Sequence, residues 1–195
     1  FKAREYLSGF TGSAGTLVIL PDQAALWTDG RYFLQAQRQL EGSGIRLMRA
    51  GQPGVPKLPD FLAEQLPENG VLAFDGRTVS TRLYRTLSDA LSPRHIRLDG
   101  SHDLADDVWP DRPPLSAQPL WPLDSDVSRR EKLSLLRAKM AEKNAAHLLL
   151  TDLTDIAWTL NLRGGDVDST PVFLSFLLLD QENAVLFVQP QAVSP

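Results

Sequence analysis

The 195-residue chain is 43% hydrophobic and 23% charged, with a formal net charge of −4 and no cysteine. This balance belongs to one large or two small globular domains. It offers nucleic acid no electrostatic attraction, and it excludes disulfides, cysteine-ligated metals and thiol catalysis within the chain. The lack of cysteine fits a reducing compartment. No apolar run reaches membrane-spanning length, and no signal peptide is visible.

The chain opens on FKAREYL, not on methionine, and reads as a fragment or processed chain whose first domain lacks its beginning. Gly9, Gly12 and Gly15 then recur every third residue. Glycine serves where φ is positive or where another backbone comes close. A phosphate-binding loop follows a strand and opens a helix. Here the loop opens a strand, Thr16 to Leu20, and no lysine follows. A tight turn delivering the chain into a sheet is the preferred reading. Ser13 is not in a nucleophile elbow. The runs 17–20 and 24–27 flank Pro21-Asp22-Gln23 as a hairpin. Their near-continuous apolar character suits strands covered on both faces.

In WTDGRYF, Asp29 reads as the N-cap of a helix whose one face carries Phe33, Ala36, Gln37 and Leu40. Arg31 then falls in the first turn, where a cation opposes the helix dipole. Two readings are open for it. One is a local ion pair with Asp29. The other is an outward guanidinium for an anionic or carbonyl-bearing partner. Further on, Ile45 to Arg49 and Val71 to Phe74 read as strands. Leu58, Phe61, Leu62 and Leu66 form a helical stripe. Ser80 caps a helix carrying Leu83, Tyr84, Leu87 and Leu91, and His95 to Leu98 reads as an edge strand. Alternating strands and helices give an α/β layer structure, and the hairpin makes the sheet mixed.

The first domain is thus placed at 1–108. A crossover at 109–124 follows, dense in proline and pinned by Trp109 and Trp121. His102, Asp103, Asp106 and Asp107 lack metal-ligand spacing and read as a solvated acidic turn. The second domain, 125–195, opens on Ser128-Arg129-Arg130-Glu131, a capping box. Leu133, Leu136 and Met140 follow on one helix face. His147 to Leu150 is a strand, and Asp152 or Asp155 caps a short helix with Ile156 and Leu160. Val172 to Leu179 and Ala184 to Val188 form a second hairpin. The loop NLRGGD groups Asn161, Arg163 and Asp166, as a ligand loop or as a self-satisfied turn. His95, His102 and His147 are scattered and unpaired, and no HExxH or Walker loop occurs.

Taken together, YLSGFTGSAGT, LWTDGRYFLQA, VWPDRP and DIAWTLNLRGGDVDSTPVFLSFLLL resemble the N-terminal half of Xaa-Pro aminopeptidases, the three-domain branch of the pita-bread metallopeptidases. The resemblance runs over nearly the whole chain. It implies two consecutive creatinase N-terminal-like (ribonuclease H-like) α/β domains, each a mixed sheet flanked by helices, the second incomplete. A third, catalytic domain would follow. It also implies release of an N-terminal residue that precedes proline, with two manganese ions activating a water. The family's metal ligands lie in the third domain, so no catalytic or metal-binding residue is expected here, and the chain alone should be inactive. Arg31 is similar to an arginine that contacts bound peptide at the cleft rim, which favours its outward reading. Arg163 and Asp166 are second candidates, and Trp158 is assigned to the core. The implied partners are a peptide with penultimate proline, the chain's own catalytic domain and a second copy in a cytoplasmic homodimer, with no nucleic acid or membrane. The family's strand and helix ahead of YLSGF are missing, and both truncations should leave apolar edges open. A stand-alone binding or assembly module with the same fold is the reading from another class.

Overall fold

The structure, a computed structural model, describes residues 2–193. It divides into two compact units between Pro113 and Pro114. Trp109–Pro113 therefore groups with the first unit and Pro114–Asp124 with the second.

The first unit begins with a helix that the glycine spacing does not announce, α1 (Ala3–Ser8), closed by Gly9 at φ 69°. The hairpin strands are β1 (Thr16–Ile19) and β2 (Ala24–Thr28). After α2 (Phe33–Gln39), β3 (Ile45–Arg49) pairs parallel to β2, giving the order β1-β2-β3. β2 is covered on both faces, as its continuous apolar run implies. Leu26 packs with Phe10, Ala36 and Leu40, while Ala25 and Trp27 face Phe61 and Leu62. β1 lies at the edge of this sheet, and there Ile19 is exposed.

Phe61 and Leu62 come from α3 (Leu58–Gln65); Leu87 and Leu91 come from α4 (Thr81–Leu91), whose Ser80 hydroxyl accepts from Leu83 N at 3.2 Å. A second, two-stranded parallel sheet joins β4 (Val71–Ala73) to β5 (Arg97–Asp99). His95 sits just before it at φ 55°, closing a 3₁₀ turn.

In the second unit, β6 (Trp121–Pro122) pairs with β8 (Leu162–Arg163). The Ser128–Glu131 capping box opens α5 (Arg129–Glu142), and Asp152, not Asp155, caps α6 (Leu153–Leu160). The main sheet orders β10 (Ala184–Val188), β9 (Ser175–Leu179) and β7 (Leu148–Leu150), antiparallel throughout. Leu177 and Leu179 face the core with Met140, Ile156 and Phe173. On the opposite face Leu149, Phe176, Val185 and Phe187 are exposed.

Two expectations fail here. Trp158 is not core. The residue is 48% exposed, because Ile156, Ala157 and Leu160 fill the buried stripe of α6. Trp121 does not pin the crossover, since its ring is exposed as well. That segment is held instead by β6–β8 pairing and by Leu120 N donating to Ala192 O at 2.9 Å. Trp109 does anchor, stacking on Tyr6 at 4.2 Å.

The glycine loop turns the chain into β1 at Thr16, and it does more than turn. It wraps Phe10, which has no exposed surface. A Cβ on Gly12 would fall 2.2 Å from Phe10 Cζ, and one on Gly15 would fall 3.0 Å from the Trp27 carbonyl. The Arg4 guanidinium donates to Gly12 O and, at 2.8 Å, to Gly15 O, and lies over the Phe10 ring. Gly12→Ala should therefore destabilise the chain by about 1–3 kcal/mol through overpacking. Gly30→Ala should be near neutral, because a Cβ there meets only ordinary contact with Phe33. Denaturant unfolding of the two variants checks the contrast.

Candidate functional site

β2 ends at Thr28, and Thr28 Oγ1 donates to Ala14 O at 2.7 Å, tying the strand end to the glycine loop. The chain then turns through Asp29-Gly30-Arg31. Asp29 is not a helix N-cap. The position before α2 is Tyr32, with no side-chain cap. Asp29 Oδ1 instead accepts from Arg31 N at 3.1 Å, and Tyr32 N donates to Asp29 O at 3.0 Å. Gly30 to Tyr32 are spent on this turn, so Arg31 precedes the helix and the expected dipole penalty does not apply to it.

The Arg31 side chain folds back on the same carboxylate. Nε donates to Oδ1 at 2.9 Å and Nη2 to Oδ2 at 2.7 Å. The side chain is nonetheless 69% exposed, and its guanidinium lies 5.3 Å over the Tyr32 ring. Both readings of Arg31 thus describe part of its geometry, a local ion pair and an outward fork. The bond to Arg31 holds the Asp29 carboxyl below the usual range, and Asp29 raises the guanidinium's pKa. The pair stays ionised around neutrality. Two of five N–H groups are spent on Asp29, and the rest have no partner among the described residues.

The glycine loop also brings groups to Tyr32 and α2 that sequence reasoning does not select. Ser13 Oγ and Tyr32 Oη are 2.6 Å apart. The Ser13 hydroxyl, and after it the neighbouring guanidinium, pull the phenol's pKa down. Thr11 Oγ1 accepts from Gln35 Nε2 and Gln39 Nε2, each at 2.9 Å. The hint available in sequence is Tyr32 directly following Arg31; the approach of Ser13 depends on the loop's path around Phe10.

Arg163 and Asp166 lie in the second unit. Arg163 Nη1 donates to the carbonyls of Ala157 in α6 and Leu162 in its own strand at 3.1 and 2.8 Å, so this nitrogen is used inside the unit. Asp166 accepts from Ser116 Oγ at 2.6 Å and from Gln118 N and Leu174 N at 2.9 Å, tying three segments together. Burial pushes its carboxyl up, but these three donors outweigh it and hold it below the usual range. In the same unit Lys132 is buried, donating to Trp158 O at 2.9 Å and Asn161 Oδ1 at 2.5 Å, with Nζ 4.3 Å over the Trp158 ring.

The stretch 102–107 is an exposed turn at His102, Asp106 and Asp107, but Asp103 departs from that expectation. The Asp103 side chain is only 11% exposed and accepts from both Arg77 and Arg112. Among the described residues no group of three or more His, Asp or Glu could hold a metal ion.

Residues 2–106 match the creatinase/prolidase N-terminal domain family, and residues 111–195 match a second family of the same description. The chain belongs to the creatinase/prolidase N-terminal family. It is 40% identical over 194 residues to the Xaa-Pro aminopeptidase ApepP of Drosophila melanogaster, covering 96% of this chain and 31% of that protein. It is 38% identical to aminopeptidase P2 of Arabidopsis thaliana, covering 100% and 28%. A solved X-prolyl aminopeptidase of Caenorhabditis elegans, described as a cytosolic enzyme with a di-nuclear active site, superposes with a TM-score of 0.91 at 30% identity, covering 99% of this chain and 32% of its own. The chain thus spans under a third of these relatives' length.

Asp166 gives the creatinase-like second unit a defined pH response. Its folded pKa lies below its unfolded value, so its contribution is full above about pH 4 and fades as pH falls through the folded value. Asp166→Asn should cost about 1 kcal/mol at pH 7 after solvent screening. The deficit should shrink in acid below about pH 4. Thermal unfolding of both proteins across pH measures it.

Proposed function

We propose that this chain is the N-terminal, non-catalytic part of a metal-dependent aminopeptidase that releases the residue preceding a penultimate proline. The relatives' names and near-complete matches over this chain support the reading. Two metal ions, with manganese as the proposed identity, would be held by polypeptide outside these residues and activate the attacking water. The intact protein would act in the cytoplasm as a homodimer.

The chain's own contribution is Arg31 at the rim of the substrate cleft. The observation that carries this role is a guanidinium fixed at two of its N–H groups while remaining largely exposed. Asp29 offsets its net charge, so it acts less as an attractor of anions than as an aimed donor. A backbone carbonyl of the peptide is the matching acceptor. Asp29 fixes the direction in advance, so less side-chain freedom is lost when peptide binds.

With manganese, the intact protein should cleave peptides with proline second, and the 195-residue chain alone should not. Arg31→Ala should lower kcat/KM by roughly tenfold, the scale of one lost hydrogen bond to a charged group. Arg31→Lys should not restore it, because an ammonium cannot reproduce the fork. Steady-state kinetics decide, and wild-type values for Arg31→Ala would remove Arg31 from the site.

A further inference from the structure

Asp-Gly-Arg occurs twice in the first unit, each time just after a strand that pairs in parallel. The two turns have the same internal bonding. Arg77 N and Nε donate to Asp75 Oδ1 at 3.0 and 2.9 Å, and Nη2 donates to Oδ2 at 3.0 Å. Arg31 makes the same three bonds to Asp29. The surroundings differ. The Arg77 guanidinium also reaches the carboxylate of Asp103. Arg31 has no second carboxylate among the described residues. Where Thr78 follows Arg77, Tyr32 follows Arg31, and the guanidinium rests over its ring.

That ring is itself held. Tyr32 meets Phe10 edge-on, with centroids 5.9 Å apart at 86°. Phe10 is fully buried under the glycine loop, with no space for a side chain on Gly12. At its far end the Tyr32 hydroxyl meets Ser13 Oγ, on that same loop. The glycine loop therefore grips the tyrosine at ring and hydroxyl, and the tyrosine supports the arginine.

Resting on the substrate-contact reading of Arg31, we infer that Tyr32, anchored by Phe10 and Ser13, is the positioning residue that holds the Arg31 fork toward a peptide carbonyl. A guanidinium on an aromatic face keeps its in-plane N–H groups available to a ligand, whereas a second carboxylate consumes them. The glycine loop thereby contributes to substrate binding without touching substrate.

A double-mutant cycle in the intact manganese-loaded enzyme, read with a peptide carrying proline second, separates positioning from general stability. Tyr32→Leu should raise KM about two- to fivefold with kcat unchanged. Tyr32→Phe keeps the ring and should stay within about twofold of wild type, matching Ser13→Ala, since each removes the same surface hydrogen bond. None of these changes should add to the loss already caused by Arg31→Ala. If Tyr32→Leu costs as much with Arg31 absent as with it present, Tyr32 is not a positioning residue. Should Tyr32→Leu fail to fold, Tyr32→Thr, which also removes the ring, repeats the cycle with Arg31→Ala, and equal losses with and without Arg31 would overturn the inference. Wild-type kinetics for Arg31→Ala alone would instead remove the substrate-contact reading on which this inference rests.

Discussion

A phenylalanine ring without exposed surface sets the geometry of the first unit's working edge. Phe10 sits between Arg4, Tyr32 and the glycine loop. Burying it stabilises the unit by roughly 1.5–3 kcal/mol on transfer grounds. Its positional effect matters more. The loop can close over the ring only because Gly12 and Gly15 carry no side chain. Once closed, the loop presents Ser13 to Tyr32 and accepts the end of β2 at Ala14. Packing in the core is converted in this way into orientation at the surface.

Electrostatics at that surface follow a local rule. In both Asp-Gly-Arg turns of the first unit, the guanidinium is bound first to the aspartate two residues earlier. Such exposed pairs contribute little stability. Their effect is to fix direction. Where a further, mostly covered carboxylate is present, as with Asp103, the guanidinium becomes part of a structural knot that also holds Arg112. Where an aromatic ring takes that place, the remaining donors face solvent. The second unit spends its polar groups inward. Asp166, Lys132 and Asn161 tie loop to helix and loop to strand.

Much of the fold is legible in the sequence, because hydrophobic period and cap chemistry are local signals. The capping box at Ser128, the Ser80 cap and both hairpins follow from spacing. The features that spacing does not reveal depend on contacts distant in sequence. The helix before Gly9 carries no strong apolar stripe, and its role emerges only when Arg4 reaches Gly12 and Gly15. Asp29 has the chemistry of a helix cap, but a short turn intervenes before the helix begins. Trp158 has the size of a core residue, whereas its ring covers a buried lysine from outside. Arg31 is legible as an oddity. Its ion pair, exposure and tyrosine support come together only in three dimensions.

All of this converges on the Arg31 guanidinium as an aimed donor, held by Asp29 at two N–H groups, which we propose meets bound peptide with the others. The most direct measurement is the ¹⁵N resonance of the Arg31 guanidinium in the intact protein, assigned by its loss in Arg31→Lys and followed as a penultimate-proline peptide is added. The account predicts a shift that saturates together with occupancy of the catalytic cleft. A resonance that stays in place at saturating peptide would contradict it.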